Sequence, residues 1–192
     1  MKINILKIIL FLTLILILFH YRKYSKFNEN YEIEQQELDY IKGDELYNRL
    51  NPIVITFIED NTLKYNIDNY SLFSPISISF TYLNLNPSYK YYQFTGEILL
   101  VRPNKDIKIE LTNPKFIKYF NRLKSDNDNY NQYKLLSKNY SEVSNIEIIL
   151  HKYNILYIPR FWLINFKNND SNTTLETFSC HNIFTYFFNI FN

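Results

Sequence analysis

The sequence predicts a mostly β domain of the sandwich or barrel type behind an apolar N-terminal helix, and three observations carry that prediction. Residues 146–166 hold two apolar runs separated by His151, Lys152, Tyr153 and Asn154 and followed by Pro159 and Trp162. That is the pattern of a strand, a tight turn, a buried strand and a corner into a third. Residues 53–57 are a continuous apolar run broken only by Thr56, while residues 107–111 alternate with period two, as a half-buried strand does. Residues 8–19 are apolar except for Thr13, too long a run for a strand.

Taken in order, the first 24 residues read as a transmembrane anchor. Extending the run back to Ile3 adds only Asn4 and Lys7 as interruptions. The roughly 17 to 20 residues needed to cross the hydrocarbon are then present if Lys7 snorkels and Tyr21 sits at the interface. A cleavable signal peptide is the competing reading, since Lys2 and Lys7 precede the apolar run. No pair of small residues follows to suit a peptidase, so an uncleaved anchor is expected. Lys2 and Lys7 on one side nearly balance Arg22, Lys23 and Lys26 on the other, and the denser second cluster points the domain to the cytoplasmic side.

Residues 25–37 are polar and read as a tether, leaving residues 38–192 as the domain. Residues 38–50 suggest two short helical turns with Asp44 as N-cap, stopped by Asn51-Pro52 ahead of the 53–57 strand. Strands follow over about 75–83 and 91–101, with Gly96 where a bulge or a close backbone approach would fit. Asn113-Pro114 can open a short helix through Phe120. Residues 125–139, rich in Asn, Asp, Ser and Tyr, read as a surface excursion, and residues 143–150 re-enter the sheet. A last strand is expected over 173–180. Phe184, Phe187, Phe188 and Phe191 recur at helical spacing in a tail that would pack on the sheet.

Composition narrows the function classes. The net charge is +2, and Lys is scattered among Asp and Glu, so nucleic acid is not the implied partner. Cys180 is the single cysteine, which excludes an internal disulfide and a CxxC zinc site. Two glycines cannot build a phosphate-cradling loop. The abundance of Ile, Asn, Lys, Tyr and Phe reflects an AT-rich genome rather than an activity. Tyr157, Arg160 and Trp162 could line the mouth of a barrel and bind a small ligand or a sugar, although a Trp at a strand corner serves more often as a core anchor.

The 154–162 stretch resembles the ending of cupin-like domains of the Jumonji type, in which a pattern close to P-G-[DN]-x-L-Y-I-P-x-x-W-W-H recurs. Asn154, Leu156, Tyr157, Ile158, Pro159 and Trp162 match it, whereas Tyr153 replaces the Gly and Leu163 the second Trp. Gly43-Asp44-Glu45-Leu46-Tyr47 leading to Pro52-Ile53-Val54 resembles the entry to that domain, and residues 93–103 resemble a middle strand. The resemblance extends to short membrane-anchored proteins of nucleocytoplasmic large DNA viruses. It implies a double-stranded β-helix, or jelly roll, with short flanking helices. It also implies an Fe(II) site made of an H-x-[DE] pair and a later His, with 2-oxoglutarate as co-substrate. Here those positions fall on Leu83, Leu85 and Ile164, and Ile98 stands where a Lys would meet 2-oxoglutarate.

No catalytic residue, metal or cofactor is therefore expected, and the expected role is a structural or interaction protein with a membrane and a protein partner. An oxygenase with relocated ligands and a sugar- or small-molecule-binding jelly roll stay open. His151 reads as a turn residue. Cys180 and His181, adjacent on one strand, point to opposite faces and make a poor nucleophile and base.

Overall fold

The computed structural model describes residues 5–24, 32–38, 41–42, 46, 49–57, 65–66, 77–84, 90–96, 98–123, 130–167 and 173–181. Their elements in chain order are α1 (Ile5–Tyr24), β1 (Glu34–Leu38), β2 (Ile41–Lys42), β3 (Ile53–Phe57), β4 (Tyr65–Asn66), β5 (Ser77–Asn84) and β6 (Tyr91–Phe94). There follow β7 (Ile98–Pro103), β8 (Ile107–Thr112), β9 (Phe120–Leu123), β10 (Tyr130–Leu135), β11 (Asn145–Leu150), β12 (Ile155–Ile158), β13 (Leu163–Lys167) and β14 (Thr174–His181). Single tight helical turns occupy Pro114–Tyr119 and Ser137–Glu142. The first is capped by Asn113, whose Oδ1 accepts the backbone N–H of Lys115 at 3.0 Å, as Asn113-Pro114 foretold.

The protein is mostly β and packs as a sandwich of two six-stranded sheets, ordered β1-β3-β12-β7-β14-β5 and β11-β8-β13-β6-β10-β9, while β2 pairs with β4 separately. Alternation along each strand decides what lies between the sheets. Val101, Leu156 and Leu175 of the first sheet meet Ile109, Ile164 and Phe166 of the second in one apolar cluster. Burying one aliphatic side chain of this kind contributes about 1.5–3 kcal/mol, so this layer is the main source of stability.

Four antiparallel pairs run through the sandwich: β5 with β14, β6 with β13, β7 with β12 and β8 with β11. First therefore pairs with last, second with second last, and so on inward. The chain is a two-stranded ribbon that crosses from sheet to sheet at each step. Gly96 lies where β6 crosses to β7. A Cβ there would sit 2.9 Å from Ser179 Cβ and 3.2 Å from the Cys180 carbonyl oxygen, so only glycine allows the crossing. The single strand expected over 91–101 is thus two strands on different sheets, and of the two roles foreseen for Gly96 the structure has the close approach.

The two sheets are offset. A tight turn at residues 151–154, closed by Asn154 N–H to the His151 carbonyl at 2.9 Å, stacks β12 over β11. The second sheet ends at β11, but the first continues past β12 with β3 and β1. On the inward row of β1, Gln35 and Glu37 align with Val54 and Thr56 and are exposed. Nothing among the described strands lies beneath them.

Three expectations need correction. The end of the stretch read as a tether is strand β1, parallel to β3. Its Glu and Gln residues give no apolar pattern, and backbone pairing at a sheet edge holds it, with Glu34 bridged to Arg49 at 2.8 Å. The 125–139 excursion contains β10, whose Tyr130 packs against the inter-sheet core and whose Tyr133 and Leu135 pack on the outer face of the second sheet. Here tertiary pairing with β6 and β9 overrides a polar composition.

The third correction concerns α1. Its described apolar side chains span residues 5–18 and are exposed. Among the described residues no helix is long and apolar enough to cross a membrane, so the single-pass anchor over residues 1–24 gains no support from the structure. The Asp44 cap and the Phe-rich tail lie outside the described residues.

Candidate functional site

The stretch from Tyr157 to Trp162 leaves β12, turns and enters β13. Tyr157 faces the outer side of the first sheet, where it packs with Ile53, Leu100 and Phe178. Its hydroxyl donates to the Leu46 carbonyl at 2.9 Å and lies 3.3 Å from that of Arg49. Trp162 faces the opposite way, into the inter-sheet core, 1 % exposed, and its Nε1–H donates to the Leu50 carbonyl at 3.2 Å. Both aromatic side chains thus tie the entry segment to the sheet from opposite faces. Tyr157 lies in the outer cluster and Trp162 in the inter-sheet one, so these two of the three residues predicted for a ligand mouth are not brought together.

Arg160 is half-buried, with its guanidinium 4.8 Å from the centre of the Phe161 ring. Phe161 has φ 70°, in the left-handed region that favours glycine, and sits third in a turn closed by Trp162 N–H to the Pro159 carbonyl at 3.4 Å. The Phe161 carbonyl accepts from Gln93 Nε2 at 3.0 Å, and Gln93 Oε1 accepts from the Tyr133 hydroxyl at 3.1 Å. A chain of hydrogen bonds from β10 through β6 therefore fixes a backbone conformation that would otherwise cost about 1–3 kcal/mol.

Next to this turn the inward row of β14 becomes polar: Thr177, Ser179 and His181 are all buried. Ser179 Oγ lies 3.4 Å from His181 Nε2. Burial first, and then the charge of Arg160, hold the His181 imidazole below its ordinary pKa and so in its neutral form. A neutral imidazole beside a hydroxyl has the chemistry of a base and a nucleophile. These two groups are 6 % and 7 % exposed, which makes them part of the closed interior. Alternation could have found the pair, because residues two apart on a strand share a face. Cys180 points the other way into the outer apolar cluster, as that rule predicts.

The densest set of titratable groups lies elsewhere, on the outer face of the second sheet. Glu110, 8 % exposed, accepts at Oε2 from the Tyr91 hydroxyl at 2.9 Å and from Lys167 Nζ at 2.8 Å. Its Oε1 accepts from Asn145 Nδ2 at 2.6 Å, and Asn145 Oδ1 accepts from Thr112 Oγ1 at 2.6 Å. Burial and the Glu110 carboxylate push the Tyr91 phenol well above its ordinary range, so it stays a hydrogen-bond donor. The carboxylate thus accepts from donors on β6, β13 and β11, an arrangement that orders these strands relative to β8. The clean alternation of residues 107–111 placed Glu110 on this face. Only the packing of Phe116 and Tyr119, from the helical turn after β8, and of Val143 against Tyr91 and Leu163 covered part of that face.

The positions that the Jumonji resemblance assigns to iron do not fit the metal. Ile164 is fully buried, pairs across the sheet with Tyr92 and offers no donor atom. Leu83, on β5, has none either, and Leu85 lies outside the described residues. Among the described residues no three of His, Cys, Asp and Glu converge to hold a metal ion. His151 is exposed in its turn, with Nδ1 2.9 Å from Asp106 Oδ2. Compared with known proteins, the chain matches no protein-family model and no curated relative.

Proposed function

We propose that the sandwich is a cupin-like double-stranded β-helix without catalytic function, and that the protein works as a structural or interaction module attached to a membrane through α1. Supporting the fold reading is the nested pairing of eight strands into one wound ribbon. The observation that carries the functional reading is Ile164: where the resembled family grips iron, this chain has an apolar side chain packed against Tyr92 and Phe166 in a closed core. Membrane attachment is supported by the exposed aliphatic side chains around α1, from Ile5 at 73 % to Leu16 at 44 %. A viral origin would suit the same resemblance.

Metal analysis of the purified chain together with a 2-oxoglutarate turnover assay tests the non-catalytic reading. We expect neither iron in stoichiometric amount nor turnover; iron with turnover overturns the reading in favour of an oxygenase with relocated ligands. Flotation with liposomes tests the attachment. The full chain should float and a chain lacking residues 1–24 should not, while resistance to alkaline extraction would separate a spanning helix from one lying in the interface.

A further inference from the structure

We infer that β11 is a docking edge, built to accept an extended peptide strand from a protein partner in the slot beneath β1 and β3. The inference rests on the reading of the chain as an interaction module and adds the surface and the chemistry of the partner. Three observations carry it, beginning with the edge itself. β11 runs six residues in unbroken register with β8, from Asn145 opposite Thr112 to Leu150 opposite Ile107, and no described strand pairs with its other side. It has no Lys, Pro or bulge, and its one charged side chain, Glu147, lies on the outer face in an ion pair with Lys108. At the opposite end of the same sheet β9 is four residues long and exposes Asn121 and Arg122, so that edge is the shorter and more polar of the two.

The second observation is the space. Because the first sheet overhangs β11 by two strands, an added strand at about 4.8 Å spacing would lie directly under β3, and a second one under β1. Ile146 and Ile148 at the edge, with Val54 and Ile33 overhead, are only partly buried although they pack on the core. An incoming apolar side chain would complete their burial.

Charge is the third. Glu37 points down from β1 into the slot and is exposed. The pairing of Glu37 with Thr56 and of Ile55 with Ile155 sets it at the level of the 151–154 turn. The strand that fits therefore alternates, with apolar residues facing the core and a basic residue at the end near the turn. A second copy fits badly. Pairing of β11 with its own twin would bring each molecule's overhanging β3 into the place of the other's β12.

A test uses the full chain in detergent micelles and a synthetic peptide of about eight residues that alternates Val and Thr and ends in two Lys. Binding is followed by fluorescence anisotropy and by hydrogen exchange of backbone amides. We expect saturable binding, slowed exchange in β11 and not in β9, and no binding by the same peptide with N-methylated backbone amides. Ile149→Lys, at a side chain 63 % exposed and outside the core, and Glu37→Lys should each weaken binding about tenfold with an unchanged melting temperature. Equal binding of the N-methylated peptide, or undiminished binding by both variants, overturns the inference. So does a dimer of the free chain that Ile149→Lys dissociates, which would make the edge a contact between copies. None of these outcomes alters the iron and turnover results, so the two readings fail separately.

Discussion

The two faces of the second sheet are both buried, yet they are made of different chemistry. Inward lie Tyr92, Phe94, Ile109, Leu111, Ile164 and Phe166, a layer closed by shape and by the removal of apolar area from water. Outward lie Tyr91, Gln93, Glu110, Thr112 and Asn165, beside an apolar cluster joined by Phe116, Tyr119 and Val143, and held by directional hydrogen bonds. The inner face determines that a sandwich forms. The outer face determines which strands lie beside which, because a buried carboxylate tolerates only the arrangement that satisfies it. The buried polar groups thus lie outside the inter-sheet layer, apart from the row ending at His181.

That contrast can be broken most forcefully from the inside. Trp162→Ala should destabilise the protein by about 3–5 kcal/mol in urea unfolding, since it leaves a cavity in a core residue and frees the Leu50 carbonyl. Trp162→Phe, which keeps most of the volume, should lose far less. On the outer face, Glu110→Ala should cost about 1–3 kcal/mol by leaving Tyr91 and Asn145 donors without their acceptor. Combined with Tyr91→Phe the loss should be clearly less than additive; strict additivity would mean that the two groups are not coupled.

A subtler effect belongs to His181. Its folded pKa lies below the ordinary imidazole value of about 6.5, so the unfolded chain binds the proton more readily. Its contribution to stability is complete above about pH 6.5 and falls as the pH drops from there through the lowered folded value. Melting temperatures measured from pH 7 to pH 5 should decline, and His181→Gln should flatten the decline. The smallest effect is expected at the surface. Asp106, held below its ordinary pKa by hydrogen bonds from His151 and the Lys152 amide, lies in solvent, and Asp106→Ala should leave the melting temperature within experimental scatter.

Much of the strand framework was legible from residue order, because β3, β8 and β12 are apolar runs or strict alternations bounded by Pro or polar turns. The roles of Asn113 and Gly96 were legible for the same local reasons, a cap that needs a short acceptor and a crossing that admits no Cβ. Strands β1 and β10 were hidden, since Glu34-Gln35-Gln36-Glu37 and Tyr130-Asn131-Gln132 carry no apolar period and become strands only through a neighbour's backbone. Tyr157 and Trp162 are close in sequence, but a strand end and a turn put their side chains in different clusters.

By itself the sequence determined a β-rich chain, an apolar N-terminal segment, and apolar side chains without donor atoms at Ile98 and Ile164, all of them properties of single residues or short periods. Which strands became neighbours, which face of the second sheet was covered, and where an edge was left open were decided only by tertiary structure. These depend on pairing between segments far apart in the chain, and no local pattern records which partner a strand will meet.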